Sequence, residues 1–144
     1  MSVFAVHPMH ETRASRLVQD VLRSLLERNA VKAVLAPCLT RDGRSVQLSL
    51  LRRPDQIAQA RPLLPVLPVS AARMAGMLCE RVQEGGEQAA PARRVAAVMR
   101  PCEARATVEL AKLRQVDPGQ LLLVVLDCSG AGEEPALRQG ALAP

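Results

Sequence analysis

The sequence predicts an α/β fold: a small mixed sheet with a C-terminal right-handed βαβ unit and an N-terminal helix plus β-hairpin. Three observations carry this. Val95 to Met99 and Leu121 to Asp127 are short aliphatic runs separated by a helical pattern from Pro101 to Gln115, the order of a strand, a crossover helix and a parallel strand. Val31 to Ala36 and Ser45 to Leu51 flank Asp42 and Gly43, a hairpin turn signal. Ahead of them, apolar residues recur at helical spacing from Glu11 to Asn29.

The leading helix is expected to place Ala14, Leu17, Val18, Val21, Leu22, Leu25 and Leu26 on one face and Arg16, Asp20, Arg23 and Glu27 on the other, with Asn29 able to stop it. In the second hairpin strand, Val46, Leu48 and Leu50 alternate with Ser45, Gln47 and Ser49, which suits a half-exposed strand. From Arg53 to Pro68 the prolines Pro54, Pro62, Pro65 and Pro68 prevent a long helix, although Asp55 to Ala60 has room for a turn or two. This stretch is expected to run as a connector across the surface. Ser70 can cap a helix from Ala71 to Gln83, in which Ala71, Ala75, Leu78 and Val82 share a face, and Gly85 with Gly86 ends it. Pro118 and Gly119 form the turn into the last strand.

Composition bounds the class. The chain has 144 residues, 49% of them hydrophobic and 23% charged. A chain of this size buries roughly 70% of the surface its unfolded form exposes, so it needs neither disulfides nor a structural metal to fold. A single domain over residues 1–134 is expected, with a loosely ordered tail from 135 to 144. The net charge is +5, and only Lys32 and Lys112 among the 19 cations are lysine. Phe4 is the sole aromatic residue. Single-strand nucleic acid binding uses aromatic platforms, so this composition speaks against it and leaves only a basic face for duplex phosphates. No apolar run approaches membrane length, and the start has no cationic segment leading into an apolar core, so a cytoplasmic protein without a membrane partner is expected. In that compartment Cys38, Cys79, Cys102 and Cys128 are expected as free thiols, metal or cluster ligands, or redox groups.

The chemistry concentrates in the βαβ unit. Right-handed crossover brings the carboxyl ends of its two strands to one edge of the sheet, where open α/β sheets bind ligands. Cys102 and Cys128 follow those two ends. Pro101 suits the first helical position and Glu103 the dipole of the first turn. Cys102 then lies near unpaired backbone N–H groups and near Arg100 and Arg105, surroundings that favour a thiolate, and the same N–H groups could cradle a phosphate. Between Arg93 and Gln115 six cations face two carboxylates, a net +4 that suits an anionic cofactor. Gly130 permits close approach of a ligand to backbone, and Asp127 could hold a ribose hydroxyl. The same residues also read as a helix cap and a polar exit turn with no ligand. Cys38 reaches this rim if its strand joins the sheet, whereas Cys79 reads as core packing. His7 and His10 have no partner in helical register. No phosphate-gripping glycine loop and no Ser, His, Asp set is present, so no catalytic residue is assigned.

The run from Val95 to Gly130 resembles the beta subunit of coenzyme F-420 (deazaflavin) hydrogenases and dehydrogenases. The matching residues are Pro101, Cys102, Glu103, Arg105, Ala106, Leu110, Lys112, Gln115, Asp127, Cys128 and Gly130, in two turns and the helix between them. A weaker similarity extends upstream through Arg53, Pro54 and Asp55 and the proline-rich stretch before Ser70, so that roughly Glu11 to Glu134 is covered. Ser70 and Ser129 depart from the family, which often has Asn and Pro there. The resemblance is to the N-terminal half of the family protein. It implies a redox subunit that binds flavin, as FAD, and iron–sulfur clusters of the 4Fe–4S type. Such a subunit passes electrons between a hydrogenase or formate dehydrogenase module and a deazaflavin or related acceptor.

Three functions are therefore weighed. The first is electron transfer, with Arg100, Pro101, Cys102, Glu103, Arg105, Asp127, Cys128 and Gly130 lining a flavin or cluster site and Cys102 and Cys128 as candidate cluster ligands. Its partners would be other subunits of a redox complex or a chain supplying the second half of the fold. The second is a cofactor-free assembly module, covered by a partner or a homodimer. The third is thiol redox chemistry between Cys102 and Cys128, which requires Cα atoms about 5 to 6 Å apart.

Overall fold

A computed structural model describes residues 13–41, 45–64, 69–83 and 94–127, without the side chains of 80–83. Helix α1 (Arg13–Glu27) leads into the hairpin of β1 (Ala33–Leu39) and β2 (Val46–Leu51). A short 3-10 helix (Pro54–Gln59) and helix α2 (Ala71–Gln83) follow, then β3 (Val95–Met99), α3 (Pro101–Lys112), a 3-10 turn (Pro118–Gln120) and β4 (Leu121–Val125). The strands form one mixed sheet in the order β2-β1-β3-β4, antiparallel between β1 and β2 and parallel elsewhere. The α/β class, the helix plus hairpin and the parallel βαβ unit all stand as expected.

Alternation along the central strands divides the core into two layers. Val34, Ala36 and Cys38 of β1 and Ala96 and Val98 of β3 face Leu22 and Leu26 of α1 together with Ile57 and Ala60. Leu35, Val95, Ala97 and Met99 face the other way, onto Ala71, Ala75 and Cys79 of α2 and onto Val116 and Leu121. All five residues of β3 are buried, as a strand covered on both faces requires. Leu22, Leu35, Ile57 and Met99 are among the largest fully buried side chains. Each contributes roughly 1.5–3 kcal/mol of burial.

Several boundaries shift. The hairpin's first strand is shifted by two to three residues from the expected Val31 to Ala36, starting at Ala33 and running on through Pro37 to Leu39. Proline is tolerated because β3 pairs with β1 only as far as Leu35, and the Pro37 carbonyl accepts the Arg61 N–H at 2.7 Å. Helix α3 stops at Lys112 rather than Gln115, where Arg114 turns left-handed (φ 59°), with Gln115 N–H on Leu110 O and Arg114 N–H on Ala111 O. Asn29 (φ 54°) closes α1 by the same pair of bonds, Ala30 to Leu25 and Asn29 to Leu26. The last strand ends at Val125 rather than Asp127.

The expected face of α1 is corrected. Leu17 and Val21 are 58% and 55% exposed and Ala14 is exposed, while Ser15 and Gln19 are buried beside Leu22 and Leu26. The helix is rolled toward the Pro54–Gln59 turn, where Gln19 Nε2 donates to Ala60 O at 2.8 Å. A hydrogen-bonded glutamine is tolerated in a core position, and the sheet is too narrow to cover the whole apolar arc. The stretch after Arg53 is corrected too: Ile57 and Ala60 are fully buried and Leu64 nearly so, making this connector a wall of the core. The expected turn at Asp42 and Gly43, the stop at Gly85 and Gly86 and the tail from 135 to 144 lie outside the described residues.

Candidate functional site at the carboxyl rim

Met99 pairs with Val125, and the Leu126 N–H donates to Met99 O at 2.9 Å, so β3 and β4 finish together. Arg100, Pro101 and Cys102 therefore share a rim with Asp127. Strand β1 runs parallel to β3, and Cys38 lies three residues past its last paired residue, Leu35, level with Arg100. Its side chain is nevertheless packed in the α1-side core, with Sγ toward Ala36 O at 3.7 Å. The segment after the first 3-10 helix straps this end of β1: Ala60 bridges Cys38, and Leu64 N–H bonds Arg61 O at 3.1 Å.

Two buried charges organise the rim. Glu103, 5% exposed, accepts the Ala71 N–H on Oε1 at 2.8 Å and the Arg100 N–H on Oε2 at 3.1 Å. One carboxylate thus ties the start of α2 to the start of α3, where both helix dipoles favour negative charge. Pro101 at the first helical position, as expected, lacks the N–H that would have no acceptor there. Arg100 is 8% exposed. Its Nη2 donates to the Leu64 carbonyl, and its Nη1 is buried with no hydrogen-bond partner.

The remaining expected site residues are placed as follows. Cys102 is exposed on the first turn of α3 and Arg105 is exposed one position beyond Ala104. Asp127 is exposed at the end of β4. Cys128 and Gly130 lie outside the described residues, as do His7 and His10. Cys79 is buried in the α2-side core, in line with its reading as packing. Burial pushes the Cys38 and Cys79 thiols above the ordinary thiol range, opposed at Cys38 by a Ser49 hydrogen bond and the Arg61 charge.

The cationic cluster expected between Arg93 and Gln115 is divided by the fold. The helix carries Lys112 and Arg114 back toward the amino edge of the sheet, where Arg94 Nε donates to Gly119 O at 3.2 Å. Lys112 pairs with Glu109 at 2.7 Å. Only Arg100 and Arg105 of the described cations in this stretch remain near the rim.

The residues present fit an oxyanion such as a flavin phosphate: helix geometry leaves the Cys102 and Glu103 N–H groups without an intrahelical acceptor, and Arg100 has a donor to spare. They do not by themselves fit an iron–sulfur cluster, which takes four thiolates as a rule. Among the described residues no group of three or more His, Cys, Asp or Glu is placed to hold a metal ion. The Leu64 carbonyl and the Ala71 amide, which complete this rim, carry no local sequence signal. The buried arginine had one: it stands between an all-apolar strand and a proline-started helix. Among the described residues no helix is long and apolar enough to cross a membrane. No protein-family model matches the chain, and no curated protein is similar enough to match it.

Proposed function

We propose that the chain is an electron-transfer subunit of a hydrogenase- or formate-dehydrogenase-type complex that contributes a flavin site at the carboxyl rim of β3 and β4. The observation that carries this reading is the common end of the two strands, with α3 starting from Arg100 beside Asp127. The family resemblance of the residues from Pro101 to Gly130 supports the choice of flavin. A bound flavin supplies the electron chemistry. The chain's own part is to bind and orient it: the first-turn N–H groups of α3 and Arg100 meet its anionic end, and Glu103 holds the two helix starts in place. An iron–sulfur cluster at Cys102 would require further thiols from Cys128 and from a partner chain.

The test is the absorption spectrum of the chain purified without oxygen, with released cofactor identified by mass. Flavin absorbance, or uptake of added FAD, is expected. A colourless protein that takes up no added flavin would sink the reading. That outcome would favour an assembly module, for which the exposed Leu17 and Val21 on α1 supply an apolar contact face.

A further inference from the structure

We propose that Arg100 anchors a phosphate-class oxyanion at the start of α3. The inference deepens the cofactor reading by naming the group recognised, and rests on that reading only for what carries the anion.

The argument starts from an unmet bond. A guanidinium has five N–H donors and stays charged, so one removed from water needs acceptors around it. Arg100 is 8% exposed and finds one neutral acceptor, the Leu64 carbonyl, while Nη1 has none. The nearest acid in sequence does not neutralise it. Both oxygens of Glu103 are taken by backbone N–H groups, of Ala71 and of Arg100 itself. Ion pairs elsewhere in the described residues, Arg23 with Asp20, Arg53 with Asp55 and Lys112 with Glu109, join exposed side chains with partners three residues away or fewer. Among the described residues Arg100 stands apart as a buried cation without a counter-charge.

Its position supplies the second half of the site. Arg100 caps α3, a helix of 12 residues whose first-turn N–H groups attract negative charge. A tetrahedral oxyanion can accept from Nη1 with one oxygen and from these N–H groups with others, which compensates the charge that Glu103 leaves unmet. The anion is either free phosphate or the phosphate of a nucleotide-like cofactor.

The experiment is thermal unfolding of the full chain at fixed ionic strength, titrated with inorganic phosphate against chloride and, separately, with FAD against riboflavin, which lacks phosphate. A saturable rise in Tm with phosphate is expected. Arg100→Lys, which keeps the charge and loses the planar fork, should raise the phosphate midpoint about tenfold, and Arg23→Ala, an exposed cation on α1, should leave it within about twofold. Stabilisation by FAD but not by riboflavin, reduced by excess phosphate, assigns the anion to a cofactor; phosphate alone acting assigns it to the free ion. No phosphate-specific rise, or an equal one in Arg100→Lys, overturns the proposal. Flavin bound with no effect of phosphate or of Arg100→Lys overturns it while the flavin reading stands. Phosphate bound at Arg100 in a chain that takes up no flavin does the reverse. Should Arg100→Met unfold the chain, the lysine variant still decides.

Discussion

Glu103 and Ala71 are 32 residues apart in sequence, and the carboxylate of one accepts the backbone N–H of the other at 2.8 Å. Since the same carboxylate also accepts the Arg100 N–H, a single side chain satisfies donors at the starts of two helices. Glu103→Ala leaves both buried N–H groups unmet, and should cost about 2–4 kcal/mol. Glu103→Gln keeps one acceptor and should cost about half as much. Urea unfolding checks this: the midpoint should fall in that order at unchanged m.

Gln19 and Arg61 converge on one carbonyl. Gln19 Nε2 donates to Ala60 O at 2.8 Å and Arg61 Nη1 donates to it at 3.0 Å. Gln19→Leu therefore leaves the carbonyl one partner and should cost no more than about 1 kcal/mol, although it removes a buried hydrogen bond. Gln19→Leu combined with Arg61→Ala should cost more than the two single changes together. A double-mutant cycle that comes out additive would show that the carbonyl does not couple them.

Arg114 holds a left-handed backbone conformation, φ 59°, that glycine adopts without penalty. Its side chain is exposed and it closes α3 by bonds of its own and its neighbour's N–H. Arg114→Gly should raise stability by about 0.5–1 kcal/mol, read as a higher Tm; Arg114→Val should lower it.

Thiol reactivity should divide by place in the fold. Cys102 is exposed, whereas Cys38 and Cys79 are buried and their pKa values are raised by desolvation. In native protein an alkylating reagent should label Cys102 well before either buried thiol, and unfolding should equalise the three. A thiol whose folded pKa lies above its unfolded one contributes stability that is complete below the ordinary thiol range and is lost as pH rises through the folded value. Stability should accordingly decline at alkaline pH, and Cys38→Ala with Cys79→Ala should flatten that decline. Peptide mapping of alkylated protein and unfolding against pH provide the two readouts.

The α/β class, the parallel βαβ unit and the rim at which Arg100, Pro101 and Cys102 meet Asp127 are legible in the sequence. These follow from short-range patterns: an aliphatic run, a proline at a helix start, and a crossover too short to reach any but a neighbouring strand. Asn29 was legible as a stop because it is among the residues that tolerate the left-handed conformation. Tertiary structure alone decided which arc of α1 is buried. Seven apolar residues span more of the helix than one contact can cover, and the choice went to the rotation that lets Gln19 reach Ala60. It also decided that the proline-rich connector lines the core through Ile57, and that the described cations from Arg94 to Arg114 do not form one patch. At the site, local sequence showed Glu103 near a helix start but not Ala71 beside it, nor Arg100 turned inward beneath Leu64. Those contacts join segments more than 30 residues apart, and their energies depend on which donors and acceptors the packed chain leaves without water.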